Sequence, residues 1–439
     1  MLISVNKVSN ILREVNITVP AVEIADEELK RLKEIAPKVK VKGFRQGKVP
    51  FDVVRKQFGK DIRDEIIGKL IRESYTKAIQ QENLHPVGVP TVKITSDADA
   101  HDADLQYTAS IEILPEFEIQ GLGEVTVEKP VATLTDADVD NEIEKIKKHY
   151  VKWNVADANH AAQNGDKLTI NLNIKTLSDN AEKAEEGVEF VLGSTAMWDE
   201  FEKPLLGAKV GDDLSFNLTF PITHIEPEFA GKEVNAKVKV LKVLAAEMPT
   251  LDEVVKNTGF EEKGGIDALR NHIKTAMSRE LKHSLATKFD NNVIDKLLEL
   301  IPLEVPRSLI EMESKRKYDE MTARLQKMAG IKKMPTLKKE FFEGEATRNV
   351  TAGIILSKVI KDNNIEIDDA KLQAKVAEFA EEADSARKDE IIQMYNQNKN
   401  LLANIQNLLI EEEALNFIKQ QMQVVEKTLT VAEALQKNN

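Results

Sequence analysis

The sequence reads as an α+β multidomain chain: a small α+β domain, then an antiparallel β domain, then an all-α region with protruding helical arms. Three observations carry this. Val15, Ile17 and Val19 alternate with polar neighbours before two helical stretches. Three further alternating runs, Leu168 to Ile174, Leu214 to Phe220 and Val234 to Val240, follow in the middle. After Met248-Pro249 the apolar spacing changes from two to three and four and stays there. A period of two marks a strand with one buried face, and a period near 3.6 marks a helix with an apolar stripe.

Size and composition bound the rest. With 439 residues the chain exceeds what one core fills, so about three domains are expected. Aromatics at 5% against 31% charged residues imply much exposed, polar, helical surface. There is no cysteine, which excludes disulfides, thiolate catalysis and thiolate metal ligands. Met1 to Lys7 does not read as a signal peptide, and no run approaches the length of a membrane helix. A cytoplasmic protein without membrane contact is expected. The net charge of −13 argues against general coating of nucleic acid.

The first domain is placed at 1–115. After the strand at Val15–Val19, a helix is expected to start near Asp26, capped by its side chain, and to end at Pro37. Two further helices are expected through Phe51–Phe58 and Asp61–Asn83. Strands near Val89–Thr95 and Leu105–Leu114 follow, joined by a solvated acidic hairpin from Ser96 to Asp104.

Between the first two helices lies Gly43-Phe44-Arg45-Gln46-Gly47-Lys48-Val49-Pro50. From Lys30 to Lys60 there are eleven Lys/Arg against two acids, Glu34 and Asp52, a local excess of nine positive charges in an acidic protein. Such a reversal steers one small surface toward polyanions. The bland alternative is an ordinary solvated loop. A phosphate-binding P-loop is excluded, because only three residues separate Gly43 and Gly47 and Lys48 is followed by Val49.

Residues 116–150 form a connector: an extended piece at Glu124–Lys129 and an amphipathic helix from Asp136 to about His149, expected to pack with the C-terminal domain. The β domain spans 151–246, with a short helix at Trp198–Leu206 across its sheet. Residues 247–439 are helical, with stripes from Ile266 to Leu297, a sparser one in Tyr318, Met321, Leu325 and Met328, and others through Phe341 to Ile360 and Leu372 to Phe417. Seven of the ten methionines lie beyond Leu251. Methionine suits surfaces that accept varied apolar partners, although any single one is as well explained as filling helix packing. The narrow stripe at 318–328 reads as an arm whose apolar face is partly exposed. The seven histidines show no metal-ligand spacing, and no nucleophile elbow is present.

The Gly-Phe-Arg-x-Gly-x-x-Pro loop resembles the ribosome-docking signature of the bacterial trigger factor family, with Gln46 where lysine is frequent. The middle block resembles an FK506-binding-protein-type (FKBP-type) prolyl isomerase in the order of Gly165-Asp166, Phe190-Val191-Leu192-Gly193, Leu206-Gly207 through Gly211-Asp212, and Phe220-Pro221. The resemblance implies docking through Gly43, Phe44, Arg45, Gln46, Gly47 and Lys48. It implies an apolar prolyl pocket walled by Phe190, Met197, Trp198, Phe201 and Phe229, with His224 where a tyrosine usually bonds the substrate carbonyl. It also implies two arms forming a cradle with the connector helix.

The expected function is therefore a ribosome-associated chaperone that meets nascent chains at the tunnel exit, shields apolar segments and assists folding and export. The partners implied are the exit-tunnel protein and rRNA, together with nascent and unfolded polypeptides along Tyr318, Met321, Leu325 and Met328. The resemblance admits a weak homodimer for the free protein. Prolyl isomerisation needs no nucleophile, metal or cofactor, only a pocket that twists and desolvates the amide. Ser178 to Lys183 lacks the aromatic of the family pattern, and Leu172 stands where an aromatic is common. The alternative is accordingly a holdase whose FKBP-like domain is inactive, with Trp198 and Phe201 as ordinary core. Two further readings, a periplasmic-type chaperone and an RNA-binding adaptor, fit less of the chain.

Overall fold

The computed structural model of the chain describes residues 1–45, 48–97, 103–157, 159–178, 181–194, 199–220, 229, 231–328, 339–384 and 387–436. By internal contacts it divides into two compact units, one of residues 1–129 and 287–427, the other of 130–286 and 428–439.

The first unit begins with β1 (Leu2–Lys7), β2 (Leu12–Val19), α1 (Ala21–Ile35), α2 (Phe51–Gln81), β3 (Pro86–Ile94) and β4 (Leu105–Ile113). The strands form an antiparallel sheet in the order β1-β2-β4-β3. Val15, Ile17 and Val19 pair with Ala109, Tyr107 and Leu105, so the alternating apolar residues of both strands point to one face. Ile24 and Leu32 of α1 and Ile62, Ile66 and Leu70 of α2 cover it. Three expectations are corrected. The first helix starts at Ala21, not Asp26, because Asp104 Oδ1 accepts from the Ala21 N–H at 2.9 Å, a cap supplied from 83 residues away. Asp104 thus has a partner rather than being merely solvated. The two helices expected at 51–83 are one, because the apolar stripe on both sides of Gly59 packs on the same sheet. That burial outweighs the roughly 1 kcal/mol a mid-helix glycine costs.

The described remainder of this unit is mostly helical. Within it, Leu122, Val127, the C-terminal part of α6 (Gly265–Leu300; Val293, Leu297), α8 (Glu343–Asp362; Ile355, Val359) and α11 (Lys399–Gln421; Ala414, Ile418) share one core. A satellite core joins Val376 of α9 (Asp369–Asp384) to Ile392 and Tyr395 of α10 (Lys388–Gln397) and to Ile405 and Leu409 of α11. The arm is α7 (Arg307–Met328) against α8, with the turn Lys339–Phe342 between the described parts. Phe341 belongs to this turn rather than to the helix expected to include it. A short sheet pairs β5 (Thr126–Val131) with β11 (Gln423–Thr428), a partner almost 300 residues distant that no local pattern reveals.

In the second unit α3 (Asp136–His149) is held by a reciprocal cap between Thr135 and Asp138. It packs Val139 and Ile143 on Leu269, Ile273, Met277 and Leu281 of α6 and on α5 (Leu251–Asn257). The β block contains β6 (Lys152–Val155), β7 (Lys167–Thr176), β8 (Glu182–Val191), β9 (Asp213–Thr219) and β10 (Glu233–Glu247). They form one antiparallel sheet, with β10 pairing β6, β7 and β9. The three expected strands are present, and β6 and β8 join them. In β8 the residues Glu182, Glu185, Glu186 and Glu189 hide the strand among charges, so a period-two reading passes over it. The expected short helix is α4 (Asp199–Glu202) followed by a tight turn at Lys203–Leu205, and both Phe201 and Leu205 enter the core.

Candidate functional site

Three surfaces were expected to act, and each is built differently. The basic loop lies between α1 and α2. Gly43 has φ +94°, a conformation only glycine adopts without strain, and the Phe44 N–H donates to Val41 O at 3.1 Å. This tight turn leaves Phe44 43% exposed, while Val39, Val49 and Phe51 on either side anchor the loop in the core of the sheet. Pro50 fixes the start of α2. Arg45 and Lys48 are exposed; Gln46 and Gly47 lie outside the described residues.

Charge on this surface is graded. At the α1 end, Lys30 pairs with Glu27, and Arg31 with Glu34 and Glu65. Hydrogen bonds from Lys30 and then Lys69 hold the Glu27 carboxyl down to about 2, so it stays anionic and neutralises that end. Lys40, Lys42, Arg45 and Lys48 have no ion-pair partner among the described residues. The uncompensated positive charge thus covers the tip and continues onto Arg55, Lys56 and Lys60 of α2, which also have no ion-pair partner among the described residues. Beside it, a cavity of about 590 Å³ between α1 and α2 has Leu32 and Ile62 as floor and Arg55, Lys56 and Lys60 at its edge. The buried pair Arg63–Glu28, at 2.6 Å, closes it. The count of basic residues included these cations, but the hollow beneath them is set by helix packing and was not legible.

On the arm, Tyr318 stacks edge-on to Phe342 with centroids 6.4 Å apart, and Phe342 in turn meets Phe341 at 6.2 Å. Tyr318 and Leu325 are half-buried, Met321 is exposed, and the Met328 side chain lies outside the described residues. The most exposed apolar groups are Phe341, at 85%, and Met312, at 63%. The expected stripe is therefore partly lined with its own aromatic partners, and the accessible face lies next to it. The Phe341-Phe342 pair following Pro335 was the available signal.

In the β block, Phe190, Phe201 and Phe229 are all buried. Phe201 lies between Phe190, at 6.3 Å, and Phe216, at 5.7 Å, whereas Phe229 packs on Phe220 at 5.8 Å. Met197, Trp198 and His224 lie outside the described residues. The block also has a depression of about 440 Å³ at Leu172, Leu214 and Val238, rimmed by Asn171, Asp213 and Lys239. Neither Phe190, Phe201 nor Phe229, the expected pocket residues that are described, lines it. Glu202 is a buried carboxylate: one oxygen accepts from the Gly193 N–H at 2.6 Å and the other has no partner among the described residues. Asp166, also buried, bonds His160 Nε2 at 2.7 Å and accepts from the N–H groups of Gln163 and Ala246 at 2.8 and 3.0 Å. Burial pushes its carboxyl up, but these bonds outweigh it and leave the group below its ordinary value. Among the described residues no cluster of three His, Cys, Asp or Glu could hold a metal, and no helix is long and apolar enough to cross a membrane.

Comparison with known proteins identifies the family of the chain. Residues 1–146 match the family model described as bacterial trigger factor protein, and residues 265–420 the model for its C-terminus. The chain is 34% identical over 440 residues to a trigger factor of Chromohalobacter salexigens, covering 99% of this chain and 96% of that protein. It is also 34% identical to the trigger factor of Marinobacter nauticus, covering 99% of each. A solved chain from work on substrate recognition by the trigger factor chaperone overlaps 95% of this chain and 99% of its own length, at 16% identity and a TM-score of 0.45, and the assignment does not rest on it. Two matching family models and full-length relatives above 30% identity mean that the chain belongs to the bacterial trigger factor family of chaperones.

Proposed function

We propose that the protein docks at the ribosomal tunnel exit through Phe44, Arg45 and the cations around them, and shelters apolar segments of nascent chains along the α7–α8 arm, assisting their folding and export. The observation that carries this is Phe44, a large apolar side chain left partly exposed by the Gly43 turn among cations with no ion-pair partner among the described residues. An exposed aromatic is a poor use of 43% of a phenylalanine unless a partner buries it. Arg45 offers a planar fork for phosphate or carboxylate. On the arm, Phe341, Met312 and Met321 offer small, separated apolar contacts, which suits weak and reversible capture. Replacing Phe44, Arg45 and Gln46 together by alanine should abolish co-sedimentation with ribosomes and leave the fold intact; undiminished co-sedimentation overturns the docking reading. Binding to naked RNA as tight as to ribosomes, with a steep salt dependence, would favour the RNA-adaptor reading instead.

The β block supports a second activity, FKBP-type prolyl isomerisation, by its sheet and its buried aromatic cluster. Against a strong pocket stands the burial of Phe201, whose ring is spent on the core. A protease-coupled proline-peptide assay on the wild type decides between an isomerase and an inactive domain that contacts peptide. Trp198→Ala is the informative variant, since Phe201→Ala would confuse lost packing with lost catalysis.

A further inference from the structure

α7 begins immediately after Pro306, and the Leu309 and Ile310 N–H groups donate to Pro306 O at 3.2 and 3.3 Å. Proline in the cap position has no side chain that could accept a hydrogen bond, so the N–H groups of Arg307 and Ser308 need an acceptor from elsewhere. They find it in Glu112, at the end of β4. Its Oε1 accepts from the Arg307 N–H at 3.0 Å and its Oε2 from the Ser308 N–H at 2.9 Å. Both carboxylate oxygens thus close the helix end, where the helix dipole also favours an anion.

A separate feature shapes the same junction. β3 bulges between Val87 and Thr91, and Gly88 there has φ +78°. A Cβ at Gly88 would lie 2.6 Å from Ser308 Cβ and Oγ, too close for any side chain. Ser308 Oγ in turn donates to Val87 O at 3.4 Å, and Ser9 Oγ donates to Glu304 Oε1 at 3.3 Å. Carboxylate, glycine and hydroxyl, from three parts of the N-terminal sheet, converge on one end of the arm helix.

We propose that Glu112, seated by the close approach of Gly88, is a positioning residue that fixes the N-terminal sheet on the root of the α7–α8 arm and so sets the direction of the arm relative to the Phe44 loop. The functional meaning of that geometry rests on the docking and sheltering reading above; the geometry itself does not. Burial raises the Glu112 carboxyl, but the bonds from Ser308 and Arg307 hold it below its ordinary range, in keeping with a permanently anionic cap.

The test uses the full-length protein free of ribosomes. Because the chain has no cysteine, Lys77→Cys on α2 and Arg324→Cys on α7 place one pair of spin labels without background. The expected result is a single narrow distance distribution that Glu112→Ala broadens, with exchange of the Arg307 and Ser308 amide protons faster by roughly tenfold. Gly88→Ala should broaden it similarly, and Glu112→Gln, which keeps one accepting oxygen, by less. Unchanged distances in both Glu112→Ala and Gly88→Ala overturn the proposal, including the case in which only amide exchange accelerates, since Glu112 would then cap the helix without positioning it. Undiminished ribosome co-sedimentation of the Phe44 variant would overturn the docking reading and leave this outcome untouched, so the two readings fail separately.

Discussion

Phe44 and Phe201 are the same residue put to opposite uses. Phe44 sits beside a left-handed glycine turn and is 43% exposed, whereas Phe201 is 1% exposed between two other phenylalanines. The basic tip and the arm spend apolar surface outward, and the β block spends nearly all of it inward. The proposed binding surfaces and the packed core therefore draw on different regions, and a substitution in one should leave the other almost unchanged.

The largest expected effect breaks the inward side. Phe201→Ala should cost about 3–5 kcal/mol in the unfolding of the β block, read by urea denaturation, because the cavity it leaves cannot collapse fully. A loss under about 1 kcal/mol would mean that the ring is not part of the packed core. Next is the outward side: Phe44→Ala with Arg45→Ala should weaken ribosome binding by about 2 kcal/mol or more, roughly thirtyfold, with no shift in the unfolding midpoint. If the midpoint falls instead, the loop is structural and the contrast between the regions disappears.

Acid should then discriminate between the two. The native Asp166 carboxyl titrates below its ordinary value, so the stability it confers is fully present above about pH 4 and is lost as pH falls through the native value. Asp166→Asn should flatten this acid limb and cost about 1–3 kcal/mol at neutral pH, since an amide cannot accept all three bonds. An acid limb identical in the variant would assign the pH response to other groups. The smallest effect belongs to the arm: Phe341→Ala should change stability by less than about 0.5 kcal/mol while weakening suppression of client aggregation a few-fold. Full suppression by that variant would move the client face elsewhere.

Much of this division was legible in the chain. The alternating residues of β2, β7, β9 and β10 and the long stripe of α6 identify themselves, because each carries its own burial pattern in consecutive residues. The connector helix α3 was legible to the residue, since its start is marked by the local Thr135–Asp138 cap and its end by Lys147, Lys148 and His149. The protruding basic loop was legible as well, because glycines, an aromatic and cations lie within eight residues.

What the tertiary structure alone decided involves partners distant in sequence. Asp104 starts α1, β11 completes β5, and Glu112 closes α7, and in each case the second group lies 80 to 300 residues away with no local trace. The same holds for burial of aromatics: composition counts fifteen phenylalanines, but only packing decides that Phe201 is enclosed and Phe44 is not. Periodicity, charge and turn chemistry are properties of neighbours along the chain, so the sequence determines them. Hydrogen-bond satisfaction and exposure are properties of neighbours in space, which exist only once the elements have packed.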